Sequence, residues 1–257
     1  MMLALLRRFL ISSWLVVALL LFWWKVSANS ENYFWPPLSQ IATQFKANWL
    51  FTNVVDDVIP SLKNLAIGYF IGAPCALVVG AHLGLSEIAQ KIFSPLVNFF
   101  RSIPGVALVP IFIMLFGIGD ESRRVSIAVA VFFPTLIATI EAVRTSDAVL
   151  LDVSRSFKFS SFQSLWRVRV PSGAPMISSG LQVSLQVGFI VMIVSEMLGA
   201  FRGLGAFTVE AQQSFMIIDM WTGIIVLGIL GYIFNVIFEL VEKRALRWYR
   251  GQKGLTS

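Results

Sequence analysis

The feature that most constrains this chain is a series of apolar runs, each close to the roughly 20 residues an α-helix needs to cross the hydrocarbon core of a bilayer. Six runs stand between short polar breaks, at residues 9–24, 62–83, 105–118, 125–143, 176–199 and 221–241. A backbone that enters hydrocarbon must satisfy its own N–H and C=O groups, so each run is expected to be helical. Charge agrees with lipid as the main solvent: 13% of the 257 residues are Asp, Glu, Lys or Arg, about half the share in soluble domains. The third run is the shortest. The segment before it, 95–104 (PLVNFFRSIP), reads as a half-buried helical lead-in, with Pro104 and Pro110 kinking or breaking the run itself.

Lysine and arginine set the orientation, because cytoplasmic loops hold their excess. With the N-terminus inside, 14 of the 20 fall on the inner side, among them Arg7, Arg8, Lys91, Arg101 and Arg144. The other six, Lys25, Lys46, Lys63, Arg123, Arg124 and Arg202, fall outside or at the outer boundary. Both termini are therefore expected in the cytoplasm. The net charge of +6 does not indicate nucleic acid, since the basic residues lie between apolar runs rather than on one solvated face. Cys75 has no second cysteine to pair with, and His82 is the one histidine, so neither a disulfide nor a metal cluster is expected. Arg7 and Arg8 before an apolar stretch resemble a signal peptide with small residues at 26–28. An uncleaved helix is preferred, because the run is long and Trp23 and Trp24 suit an interfacial anchor.

Leu38, Ile41, Ala42, Phe45, Trp49 and Leu50 recur at helical spacing just after Pro36 and Pro37, as in an amphipathic helix on the outer membrane surface. A cap over the bundle is the preferred reading, a docking element the other. In the second run Gly68, Gly72, Ala76, Gly80 and Gly84 form a small-residue stripe, which lets another backbone approach within the chain or across a dimer. The fifth run divides into two faces. Gly180, Ser184, Gly188, Ser195 and Gly199 form a packing face; Ser178, Ser179, Gln182, Gln186 and Glu196 share an opposite arc. That polar arc reads either as a translocation pathway or as hydrogen-bonding glue between helices.

The connection at 144–175 is far longer than two adjacent helices require. Val149, Val153 and Phe157 share one helical face, and Phe162, Leu165, Trp166 and Val170 another, predicting two short amphipathic helices joined near 158–160. Aromatic residues flanked by arginine favour a surface for a protein partner.

This segment resembles the EAA loop of the permease subunits of bacterial ABC importers, whose pattern is E-A-A, three residues, G, nine residues, I-x-L-P. The spacing is kept as Asp152-Val153-Ser154, Lys158 and Val168-Arg169-Val170-Pro171, with Asp for Glu, Val-Ser for Ala-Ala and Lys158 for the glycine. Segments 95–104, 116–119 (FGIG), 195–199 (SEMLG) and 203–205 (GLG) look like the nitrate/sulfonate/taurine/bicarbonate branch, and the likeness covers about 34–249.

The resemblance implies an all-α membrane protein with six transmembrane helices in the type I ABC importer permease fold. In that reading residues 1–60 hold the first helix and the external segment, 61–250 the permease domain, and 251–257 a cytoplasmic tail. It implies a multi-pass bacterial inner-membrane subunit that works with two ABC ATPase copies, a second permease copy expected to form a homodimer, and an external substrate-binding protein. Carried over by position, Asp152, Ser154, Arg155, Phe157, Lys158 and Phe159 would contact the ATPase, while Arg167 and Pro171 hold the loop to the bundle. No phosphate-binding Gly-x-x-x-x-Gly-Lys-Ser/Thr motif is present, so ATP and Mg belong to the partner and this chain carries no cofactor. The implied cargo is a small oxyanion or organic acid such as nitrate, a sulfonate, taurine or bicarbonate. Arg101 could attract such an anion, although snorkelling to the inner boundary or pairing with a helix end is the preferred account. An intramembrane enzyme would need a catalytic constellation in its spans, and none is visible in the sequence. An ion-coupled transporter or channel is the better rival, but leaves the aromatic, basic loop unexplained.

Overall fold

A computed structural model describes residues 2–28, 30–50 and 53–252, with side chains described for 14–28, 30–50 and 53–249. The elements are α1 (Met2–Ser27), α2 (Leu38–Trp49), α3 (Ile59–Leu85), α4 (Glu87–Ser102), α5 (Val109–Phe116), α6 (Asp120–Arg144), α7 (Ala148–Ser156), α8 (Ser161–Ser164), α9 (Val170–Met197), α10 (Leu204–Gln213), α11 (Ile217–Ala245) and α12 (Arg247–Gln252). The described residues contain no strand.

Four helical stretches are long and apolar enough to cross a membrane: Val54–Leu85, Asp120–Arg144, Ser161–Met197 and Ile217–Ala245. They contain the second, fourth and sixth apolar runs and all but the last two residues of the fifth. The first run lies in α1, and the side chains of its residues 9–13 lie outside the described residues. The third run departs from a simple span. α4 and the stretch Gly105–Phe116 meet at an 84° bend. The break falls at Ile103, which is extended (ψ 120°) as the residue before a proline prefers. Pro110, expected as a second break, instead sits in the first turn of α5, where a missing N–H costs nothing.

Two widened helical turns, Val54–Val58 and Leu165–Arg169, each lie two residues before a proline, Pro60 and Pro171. A wide turn lets the chain absorb a proline ring without ending the helix. Residues 161–197 therefore form one continuous stretch, and the second of the two short helices expected in the connection, α8, runs through the widened turn into α9.

α3, α6 and α9 pack around Leu65, Ala73, Val109, Ile127, Val131, Val191 and Met192. Close backbone approach, rather than escape from water, favours helix association in lipid, and the glycines provide it. A Cβ at Gly68 would lie 2.7 Å from Ile127, one at Gly80 2.8 Å from Thr139, and one at Gly72 would strike the Ala128 carbonyl. The stripe on α3 is thus used within the chain, against α6. On α9, Gly180 meets Ala138 and Gly188 meets Val131, also on α6.

α2 is a cap. Ile41 and Trp49 are buried, Gln44 and Asn48 donate to the Asp219 carboxylate at 2.8 and 2.7 Å, and Trp49 Nε1 donates to Thr222 at 3.0 Å. Trp23, Trp35 and Trp221 meet in a triangle with centroids 5.3–5.5 Å apart, joining α1 to α11.

Candidate functional site

The connection after α6 is shaped by caps. The Asp147 carboxylate accepts the Val149 N–H and starts α7. At the other end Phe159 N–H donates to the Ser154 carbonyl (3.0 Å) and Lys158 N–H to that of Arg155 (2.9 Å). This 6→1 and 5→2 pair is a Schellman motif, with Lys158 in its left-handed position at φ +54°. A lysine thus holds the left-handed position at the place where the resembled pattern has a glycine. Ser160 and Gln163 then form a reciprocal capping box that opens α8.

The expected contact residues separate by exposure. Asp152 and Arg155 form a solvent-exposed pair at 3.0 Å, and Phe157 is 71% exposed beside the Phe159 ring. Lys158 is exposed as well. Ser154 is not available as a contact: it is buried, its hydroxyl donating to the Leu151 carbonyl and lying 3.5 Å from that of Ser164. Arg167 lies over the Phe159 ring at 5.9 Å, which steadies the turn. Pro171 is half-buried in the first turn of α9. The residue that ties the loop to the bundle is one that the sequence pattern does not single out. Arg169 donates to the Val143 carbonyl at 2.9 Å, satisfying one of α6's terminal acceptors. An arginine between two apolar residues beside a proline was the available signal.

Phe162 and Trp166 remain 71% and 54% exposed as a ring pair, while Leu165 is buried against Val143 and Ala81. A groove of about 200 Å³ runs under the turn, lined by Leu85, Leu151, Ser154, Arg155, Phe159 and Arg169.

The polar arc of α9 does not stay together. Gln182 donates to Asn235 on α11 at 2.7 Å, and Asn235 donates to Glu239 at 3.0 Å. Gln186 is exposed and shares a groove of about 340 Å³ with Gln182, Phe189, Phe234 and Asn235. Ser178 is half-buried one turn nearer the Arg169 end. Glu196 is a correction to the pathway set. It is 1% exposed and works as a clamp at the far end of the bundle, where three successive N–H groups of the α10 start find acceptors on other segments. Gly203 donates to Asp57 (2.9 Å), Leu204 to Ser61 (3.0 Å) and Gly205 to Glu196 (2.9 Å). Gly203 has φ +126° and leaves no room for a Cβ, which would lie 2.6 Å from the Glu196 carboxyl carbon. Beside this clamp, Asn64 and Asp120 share a bond of 2.9 Å, with Arg123 and Arg124 both on Asp120.

The family described as "Binding-protein-dependent transport system inner membrane component" matches residues 68–247. The putative aliphatic sulfonates transport permease SsuC of Bacillus subtilis is 29% identical over 76% of this chain and 70% of that protein. The taurine transport system permease TauC of Escherichia coli is 26% identical over 95% of this chain and 91% of that protein. Among solved structures, the inward-facing MetNI methionine ABC transporter superposes with a TM-score of 0.65 at 22% identity, covering 75% of this chain and 95% of its own.

Proposed function

Since the chain belongs to the family of binding-protein-dependent transport system inner-membrane components, we propose that it moves a small sulfonate such as taurine, driven by two ATPase subunits seated on the α7 turn. Membership makes the chain a permease subunit of a binding-protein-dependent importer, a multi-pass inner-membrane protein that transports rather than catalyses. The cargo rests on the sulfonate and taurine relatives.

The observation that carries the energetic half is the α7 turn. Arg155 and Phe157 are exposed on a capped turn, with the half-buried Phe159 packed beside Phe157, and an exposed aromatic on a rigid element is what a protein interface uses as an anchor. The turn faces the cytoplasm in this reading, and both termini share that side. ATP and Mg are held by the ATPases. A second copy of this chain completes the pathway, and an external binding protein delivers the cargo to the face that carries α2 and the α10 clamp. ATP binding and hydrolysis then shift the pair between inward- and outward-open states, each nucleotide state favouring one of them.

The test is a pull-down of the tagged full chain from its native membrane in mild detergent. Wild type should bring an ATPase with it, and the double variant Arg155→Glu with Phe159→Ala should lose it. Full retention by the variant overturns the docking assignment. Uptake of radiolabelled taurine and ethanesulfonate by the reconstituted complex checks the cargo, and the absence of both from the lumen overturns it.

A further inference from the structure

α4 has no buried residue, and at 100° per residue its side chains divide into three stripes. One edge packs on the bundle through Val97 and through Phe100, whose ring stacks on Phe133 at 5.8 Å. One flank is apolar and exposed, with Ile88 at 73%, Ile92 at 66% and Phe99 at 63%. The other flank is polar, with Lys91, Ser94, Asn98 and Arg101.

Depth is set by the packing. Phe133 lies eleven residues before Arg144 along α6, about 16 Å at 1.5 Å per residue. α4 therefore climbs beside α6 from its basic end into the bilayer. Arg101 shares a groove with Ile137, Ile140 and Glu141, and Ile137 lies about 10 Å inward of Arg144. The groove thus runs from Glu141, about 5 Å from Arg144, to the depth of Ile137. Glu141 is paired with Arg144 at 3.9 Å, and among the described residues Arg101 takes part in no ion pair. The polar flank opens onto a further groove of about 770 Å³ lined by Glu87, Lys91, Ser94, Asn98 and Arg144. Three cations against two carboxylates line the two grooves together.

A helix at this depth with one polar and one apolar flank marks the border between lipid and an aqueous space, and an exposed arginine there without a carboxylate partner is free to receive an anion. The geometry points to the polar flank of α4 as the wall of an inner vestibule, with Arg101 as the group that receives the sulfonate on its way out. This rests on the sulfonate reading of the cargo and assigns it a site.

The probe is (2-sulfonatoethyl) methanethiosulfonate, itself an ethanesulfonate, compared with its trimethylammonium analogue. Asn98→Cys is built in a Cys75→Ala background and labelled as the full complex in inside-out vesicles without nucleotide. Relative to a small free thiol, the anionic reagent is expected to be favoured about tenfold at low salt, as a local positive potential predicts. Free ethanesulfonate should slow it. Arg101→Gln should remove the preference and Arg101→Lys keep it. The readout is a ratio of two reagents on the same folded protein, so poor expression does not imitate a loss. A ratio near one, or a preference untouched by Arg101→Gln, overturns the site. A preference seen only in vesicles lacking anionic lipid assigns Arg101 to a lipid phosphate and overturns it equally. Labelling requires no transport, so failed sulfonate uptake alongside a positive ratio counts against the cargo and not against the vestibule.

Discussion

Glu196 on α9 accepts the Gly205 N–H of α10 at 2.9 Å, nine residues along the chain and on the far side of a reversal. Both partners are buried, so removing the acceptor leaves a donor without water to replace it. Glu196→Ala is expected to lower stability by about 1–3 kcal/mol. Glu196→Gln, whose amide oxygen still accepts, should recover most of the loss. Thermal melting of the purified chain in detergent checks both, and an alanine variant that melts with wild type would rule out the clamp.

Lys158 holds a left-handed backbone at φ +54° inside the Schellman turn. That conformation costs an L-residue roughly 1–2 kcal/mol and glycine little. Lys158→Gly should raise the melting midpoint, and Lys158→Val should lower it. No change in either direction would mean that the turn does not persist in solution.

Gly72 and Gly228 form a matched pair. A Cβ at Gly72 would strike the Ala128 backbone, while one at Gly228 meets nothing within 4 Å. Gly72→Ala is therefore expected to cost about 1–3 kcal/mol by forcing α3 from α6, and Gly228→Ala to be neutral. Denaturation of the two variants in parallel separates packing from the general effect of removing a glycine.

The bond from Gln182 to Asn235 at 2.7 Å joins α9 to α11. Such bonds contribute about 0.6 kcal/mol on average in membranes, up to about 1.7. A double-mutant cycle of Gln182→Leu and Asn235→Leu should return a coupling in that range, and a coupling of zero would show that the amides face water independently.

Much of this architecture is legible because lipid imposes a length rule. α3, α6, α9 and α11 announce themselves as apolar runs, and the glycines at positions 68, 72, 180 and 188 mark packing before any partner is known. The break expected at Pro104 is legible too, and the extended Ile103 before it turns the chain by 84°. Glu196 misleads. A helical wheel sorts residues by angle alone, and its partner Gly205 belongs to a later segment that folds back. Ser154 lies in the loop's matched motif, but burial against Ser164 depends on a capping turn that the motif does not specify.

The unbroken run of residues 161–197 has a mechanical meaning. Thirty-seven residues at 1.5 Å each make a rod about 55 Å long. The α7 turn adjoins one tip and the Glu196 clamp holds the other, so the helix acts as a lever with the glycine contacts on α6 as its fulcrum. Tilting such a rod by 10° displaces one tip by about 10 Å relative to the other. The Gly180 and Gly188 contacts lie about 34 Å from the α7 end of the rod and about 20 Å from the Glu196 end, so a displacement under the turn reaches the opposite membrane face at roughly half its size.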